Sequence, residues 1–349
     1  MAAQGLASGF KQVSYVVRDL DTTAQWFRQA LGVEFFGTRS YKLGGSDYPL
    51  TSGGKPVSGQ VEIRLALARA GGRGELEIEL IQPDGGDSVF SKFVERTGGG
   101  LHHAAFEVDD FDAAARPLER DGKIPRAAAN GGNKIAYFDC RGAGASIIEV
   151  AQYDPATRSD LQRLKLPPGA DPASAPPPDP QAPRLVQISY TVRDLDAVTG
   201  WFKRALGVEH FGVTRATAGR DYQVLIKDQP VSTPFSLRTA MGRLGPRGEQ
   251  EIEIIQPVDG PSPYRDFLDV QGEGLNHVSF LVPEFEPAAE RMRASGAKPL
   301  IEFRGHGIRA CYFDCRTAGA SIVEIGYFDE KATAALERVK TPRDQRPPS

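Results

Sequence analysis

Cysteine is scarce: Cys140, Cys311 and Cys315 are the only three in 349 residues, which excludes a disulfide framework, and no Cys-x-x-Cys pair offers a thiolate metal centre. Reduced, buried thiols are expected. No apolar run approaches the ~20 residues of a membrane span, and the first ten residues, MAAQGLASGF, carry neither the basic nor the apolar stretch of a secretion signal. The expectation is a cytoplasmic protein with no membrane partner. Charge of one sign is also missing, since 42 basic residues against 45 acidic ones leave a net charge of −3, so no nucleic-acid partner is expected. A small-molecule substrate remains. With 40% hydrophobic and 25% charged residues, the composition is that of a folded globular chain.

What the chain does contain is written twice. QVSYVVRDLD from residue 12 returns as QISYTVRDLD from 187, and WFRQALGVEFFG from 26 returns as WFKRALGVEHFG from 201. IELIQPDGG, GGGLHHAAFEV and AYFDCRGAGASIIEV return in the same order as IEIIQPVDG, GEGLNHVSFLV and CYFDCRTAGASIVEI. A spacing of roughly 175 residues marks a duplicated domain rather than a short-period solenoid. The Pro- and Ala-rich stretch 167–183 has little to bury and reads as a semi-rigid linker. The expected division is a first domain at 8–155, a short helix and linker at 156–182, a second domain at 183–330, and a short helix with a frayed tail at 331–349.

Within a copy the period alternates between that of a strand and that of a helix. VSYVV reads as a half-buried strand; Asp19 or Asp21 can cap the following helix, whose apolar face holds Ala24, Phe27, Ala30 and Leu31, and Gly32 can close it. Strands follow at 61–67 and 76–81. A second round starts with the strand HHAAFEV, continues with a helix over 110–120, and ends in a strand at 147–151. Pro117 costs about 3 kcal/mol in a helix interior, which predicts a late start or a kink.

Two rounds of strand, helix and three strands, with RDLD after the first strand and IIEV on the last, resemble the vicinal-oxygen-chelate superfamily, whose members include glyoxalase I, methylmalonyl-CoA epimerase and extradiol dioxygenases. The resemblance spans nearly all of both copies. It implies an α+β fold of tandem domains, each pairing two βαβββ modules into a curved mixed sheet around a metal site. Its ligand positions fall on Gln12, Glu79, His103 and Glu149 in the first copy, and on Gln187, Glu253, His277 and Glu324 in the second. A single Glu on a strand face is ordinarily solvated, and a single His is often structural. Here, however, His103 and His277 are the only two of the five histidines at matching positions; His102, His210 and His306 have no counterpart.

An amide oxygen, two carboxylates and an imidazole suit zinc, nickel, cobalt or manganese ahead of iron. Gln at the first position resembles glyoxalase I, while the segment 78–106 resembles the epimerase. The shared chemistry implied is acidification of a C–H beside substrate oxygens, giving an isomerase or lyase that passes through an enediolate or enolate. Glu149 and Glu324 are then the candidate bases, with Glu62 an alternative in the first copy only. An extradiol dioxygenase would need two histidines and a carboxylate at iron, and a metal-free resistance-type binding protein would not need the ligands. Arg64 and Arg238, with Tyr48 and Tyr222, are candidate substrate contacts. The covalent linker favours a monomer with intrachain domain pairing, or alternatively a homodimer. The pseudo-symmetric duplication further suggests crossed sites, with Gln12 and Glu79 joining His277 and Glu324.

Overall fold

The computed structural model describes residues 9–346 apart from 45–48, 53–54, 57–58, 71–75, 120–122, 131, 172–178, 180 and 246–249. The first half holds strands β1 (Gln12–Val16), β2 (Arg39–Leu43), β3 (Leu50–Ser52), β4 (Lys55–Pro56), β5 (Val61–Arg69), β6 (Glu77–Gly85), β7 (Gly100–Glu107), β8 (Lys123–Asn130), β9 (Asn133–Asp139) and β10 (Ile147–Gln152). Its helices are α1 (Leu20–Leu31), α2 (Val89–Thr97), α3 (Phe111–Glu119) and α4 (Pro155–Leu164). The second half repeats the plan with β11 (Arg184–Thr191), β12 (Phe211–Ala218), β13 (Gln223–Ile226), β14 (Gln229–Pro230), β15 (Phe235–Leu244), β16 (Gln250–Asp259), β17 (Gly274–Leu281), β18 (Lys298–Gly305), β19 (Ile308–Asp314) and β20 (Ile322–Phe328). The matching helices are α5 (Leu195–Leu206), α6 (Pro263–Val270), α7 (Phe285–Ala294) and α8 (Glu330–Lys340).

Each half is one mixed sheet of ten strands, in the order β2-β5-β6-β1-β7-β10-β9-β8-β3-β4, with the corresponding order in the second. The two βαβββ modules meet where β1 runs antiparallel to β7. Along the central strands, successive side chains take opposite faces. On one face Val13, Tyr15, Ile78, Leu80, Ala104, Phe106, Ile148 and Val150 are fully or almost fully buried, and with their second-half equivalents they form one core shared by both domains. The other face carries Gln12, Ser14, Glu79, His103 and Glu149, and lines the cup.

The helices form because their boundaries are marked and one face is apolar. The Asp19 side chain accepts from the Thr22 N–H, and Gly32 ends α1 at φ 68°, a left-handed conformation that glycine adopts without cost. Helix α3 runs through Pro117 without the late start expected from sequence. Pro117 stands in its last turn, so the missing N–H costs a single bond close to where the helix ends.

The two domains join through their helices and core, not through a common sheet. Helix α1 packs on α7 and α3 on α5. Thr23 Oγ1 donates to the Ala318 carbonyl at 2.9 Å, Trp26 Nε1 to the Ser295 carbonyl at 3.1 Å, and the Leu101 N–H to Ser321 Oγ at 2.6 Å. Close approach at this seam requires Gly100, where a Cβ would fall 2.2 Å from Ser321 Oγ. No disulfide joins the three cysteines, and all three are buried, as expected from the sequence. Among the described residues, no helix is long and apolar enough to cross a membrane.

Because the core is continuous, the two domains are expected to unfold in one transition. Each carries one tryptophan, Trp26 or Trp201, so fluorescence in urea reports both halves. Phe27→Ala, at a fully buried position of the shared core, should lower stability by about 3–5 kcal/mol and shift that single transition. Two separate transitions would contradict the shared core.

Candidate metal and substrate site

Strand register assembles the first site. Ser14 on β1 stands level with Glu79 on β6 and His103 on β7, while Glu149 on β10 stands level with Ala105, one same-face step further along β7. The ligand atoms of Glu79, His103 and Glu149 lie within 4.8 Å of one another, as do those of Glu253, His277 and Glu324. Both triplets are gathered inside one domain, which corrects the crossed arrangement. The reason is the β1–β7 seam: α2 is a short connection that returns the chain beside β1 of its own domain, and the strand ladder of each sheet stays within its own domain.

In the first triplet His103 Nε2 is 2.8 Å from Glu149 Oε2 and 3.7 Å from Glu79 Oε2; in the second, His277 Nε2 is 3.3 Å from Glu324 and 3.5 Å from Glu253. Yet neither Nε2 atom, nor Glu324 Oε2, makes a hydrogen bond, although all three atoms are buried. The donors converge on a common point instead of satisfying one another. Among the described residues Glu79 and Glu149 pair with no lysine or arginine, and both face His103. Burial, followed by the charge of Glu149, pushes the Glu79 carboxyl up to about 8. In the second site burial opposes charge on His277, but the facing carboxylates more than offset it and raise the imidazole to about 9. Each site therefore retains a proton that a divalent cation can replace, and a buried set of one imidazole and two carboxylates fits such an ion.

The Gln12 amide donates to Ser14 Oγ at 3.0 Å, and Ser14 in turn donates to Glu79 at 2.7 Å, placing Gln12 beside its triplet. Gln187 turns instead toward Glu251, 3.4 Å away. The candidate substrate arginines face elsewhere. Arg64 is bonded to Asp21 and Gln82, and Arg238 to Asp196 and Gln256, because both have the opposite strand parity to the residues lining the cup. Glu62 shares that outward parity and pairs with Lys42 at 2.9 Å. Tyr222 reaches the second site indirectly, stacking edge-on against Phe303, which meets Tyr312 against the His277 ring. Tyr48 lies outside the described residues.

Three further kinds of residue shape the sites. His102 Nδ1 lies 2.8 Å from His103 Nδ1, and in the second domain the Asn276 side-chain oxygen takes the same place, 2.8 Å from His277 Nδ1. An amide oxygen only accepts, so His277 keeps a proton on Nδ1, and the proton that a divalent cation would replace is the one on Nε2, facing the carboxylates. Burial, then His103, holds His102 neutral well below the usual imidazole range, so it too can accept. Tyr137 and Tyr312 pack edge-on against His103 and His277, with ring centroids 5.2 and 4.7 Å apart. Finally, buried Lys165 and Lys340 at the ends of α4 and α8 bind Glu77 and Glu251 and so occupy the carboxylates next to the clusters. The repeat itself signals these lysines, since KLP at 165 recurs as KTP at 340.

This geometry agrees with the comparisons. The chain belongs to the Glyoxalase/Bleomycin resistance protein/Dioxygenase superfamily, whose family model matches residues 11–137 and 186–312. The uncharacterized protein YqjC of Bacillus subtilis is 32% identical over 96 residues, which cover 26% of this chain and 66% of that protein. Mouse mitochondrial methylmalonyl-CoA epimerase is 25% identical over 146 residues, covering 40% of this chain and 70% of that enzyme. A variant of 4-hydroxymandelate synthase from Streptomyces coelicolor shares the fold at a TM-score of 0.56, with 15% identity over 95% of this chain and 98% of that one.

If His102 and Asn276 do the same work, His102→Asn keeps the metal affinity of the first site and His102→Phe weakens it about 10–100-fold. Equilibrium dialysis against manganese or zinc reads this, with His277→Ala as background to isolate the first site. Equal affinity in both His102 variants would remove the orienting role.

Proposed function

We propose that this chain is a divalent-metal-dependent isomerase or lyase that moves a proton at a carbon beside the oxygens of a small oxygenated substrate. The observation that carries the reading is the convergence of two carboxylates and one buried imidazole nitrogen, twice in one chain, with Glu253 the one ligand that is only partly buried. Gln12, Glu79, His103 and Glu149 would hold the first cation, and Gln187, Glu253, His277 and Glu324 the second. Zinc, nickel, cobalt or manganese suits such a donor set. When bound, the cation supplies Lewis acidity that lowers the pKa of the neighbouring C–H.

The chain's own residues do the rest. Glu149 lies at the wall of the cup and is the group positioned to take the proton and return it; Glu324 is its counterpart. The Tyr137 hydroxyl bonds to Glu149, and burial, then the Glu149 charge, holds its pKa well above the usual phenol range. It therefore stays a donor and steadies the carboxylate. The apolar wall excludes water from the proton in transit. The epimerase relatives support this class of chemistry. Against an extradiol oxygenase stands the donor set itself, which has one histidine and two carboxylates where a facial triad has two histidines and one.

Two measurements test the reading. Metal-supplied protein should hold two ions per chain by elemental analysis, and none with Glu79, His103, Glu253 and His277 all replaced by Ala. Turnover should exchange a substrate C–H with solvent deuterium and consume no oxygen. Glu149→Gln, with Glu324→Gln, should lower the exchange rate by about 10²–10⁴-fold. Stoichiometric oxygen uptake would overturn the proposal.

A further inference from the structure

Beyond the metal cluster, the first cup holds a chamber of about 120 Å³. An engineered protein cavity of roughly 150 Å³ lined by aliphatic and aromatic groups is large enough to hold benzene, so a chamber of this size takes one ring or a branched alkyl group. Its described walls are Leu43, Leu50, Val61, Ile63, Leu65 and Ile81, together with Phe90, Ile135 and Tyr41. Helix α4 roofs it with Thr157 and Leu161.

The polarity is one-sided. Asn133 and Thr157 also line the chamber, but they bond to each other and to Asp154, so they tie α4 to β9 and leave no demand on a ligand. Glu149 is the sole charged group among the described lining residues, and it lies where the chamber meets the cluster, beside Tyr137. No described lysine, arginine or histidine lines the wall. The remaining polar groups of the wall are the neutral phenols of Tyr41, Tyr137 and Tyr153, so a carboxylate or phosphate pushed into this chamber would lose its hydration with no cation to replace it and with Glu149 to repel it, at a cost of several kcal/mol. An uncharged carbon group gains from the same wall.

We infer that the first domain selects a substrate with an uncharged aryl or branched-alkyl group attached directly to a carbon that bears one of its paired oxygens, the oxygens at Glu79, His103 and Glu149 and the carbon group under α4. This rests on the functional reading above, and narrows it away from substrates bearing a second acid group, such as malonyl-type acids.

The test uses the full chain loaded with manganese and three small chelators: benzohydroxamate, acetohydroxamate and hydroxymalonate. All offer paired oxygens; the first adds a ring and the third a second carboxylate. His277→Ala background confines binding to the first domain. Benzohydroxamate should bind at least about tenfold tighter than acetohydroxamate, the gain expected from burying a ring, and hydroxymalonate more weakly than benzohydroxamate. Val61→Phe, or Leu161→Trp on the more exposed roof should the first fail to fold, should abolish the ring's advantage while leaving acetohydroxamate affinity and manganese content unchanged. Equal binding of the two hydroxamates, preference for hydroxymalonate, or a ring advantage surviving in the folded variants would overturn the inference. If no manganese binds, the metal reading fails, and the chamber is decided by benzene: perturbation of Val61 and Ile63 methyl resonances, lost in the variants, supports it, and no perturbation overturns it.

Discussion

The side-by-side pairing of β1 with β7 is the constraint on which the rest depends. It sets Ser14 opposite His103, and since β6 runs parallel to β1 with Glu79 level with Ser14, the register alone brings a carboxylate and an imidazole to one spot. Strand β10 adds Glu149 from the other flank. A slip of one residue in that seam would turn the faces of one module over against the other, sending His103 and Glu149 toward the apolar core and Ala104, Phe106, Ile148 and Val150 into the cup. The large buried side chains on the opposite face, Tyr15 and Phe106 among them, therefore hold the chemistry in place by opposing any such slip.

Much of this was legible in the sequence because duplication supplies an internal control. The strand, helix and strand order and the Gly32 stop follow from motifs that occur twice; Asp19 was one of two caps that the sequence offered, and the two triplets come from the superfamily resemblance that those motifs carry. What escaped was of two kinds. Some residues depend on parity that composition does not reveal: Arg64 and Arg238 recur faithfully, but they recur because each ties its strand to Asp21 or Asp196 on the neighbouring helix. Recurrence marks a constraint, and a structural ion pair is as good a constraint as a ligand contact. Others lie where the eye stops early. Lys165 and Lys340 repeat as faithfully as the histidines, yet they follow helices that look like linker ends.

The closure of each site within its own domain was the feature least accessible to sequence. A duplicated chain can place its modules in either pairing, and hydrophobic periodicity is identical in both. The choice falls to connection length. The segment carrying α2 brings β7 back to β1 at high effective concentration, whereas the route to the other domain passes through the linker. Once each sheet is complete, what remains exposed is the helix face, and the two domains bury it against each other as one core.

The two sites that result are alike in ligands and unlike in surroundings. His102 orients its neighbour in one, Asn276 in the other; Gln12 leans on Ser14, while Gln187 leans on Glu251. Phe90 stands over the first cup where Tyr264 stands over the second, and Tyr264 gives its tyrosine neighbour Tyr312 a hydroxyl partner that Phe90 cannot give Tyr137. The difference leaves the Tyr137 hydroxyl committed to Glu149 alone, at the wall of the apolar chamber. Under the proposed function, this donor held neutral by burial, next to a carboxylate with one face toward that chamber, is the pair that would handle the proton. In the second domain the equivalent phenol, Tyr312, bonds to Tyr264 instead. Duplication has thus kept the carboxylate–imidazole cluster twice while letting its surroundings diverge, and under the proposed function it is this outer layer of residues, more than the ligands, that would separate the chemistry of one half from that of the other.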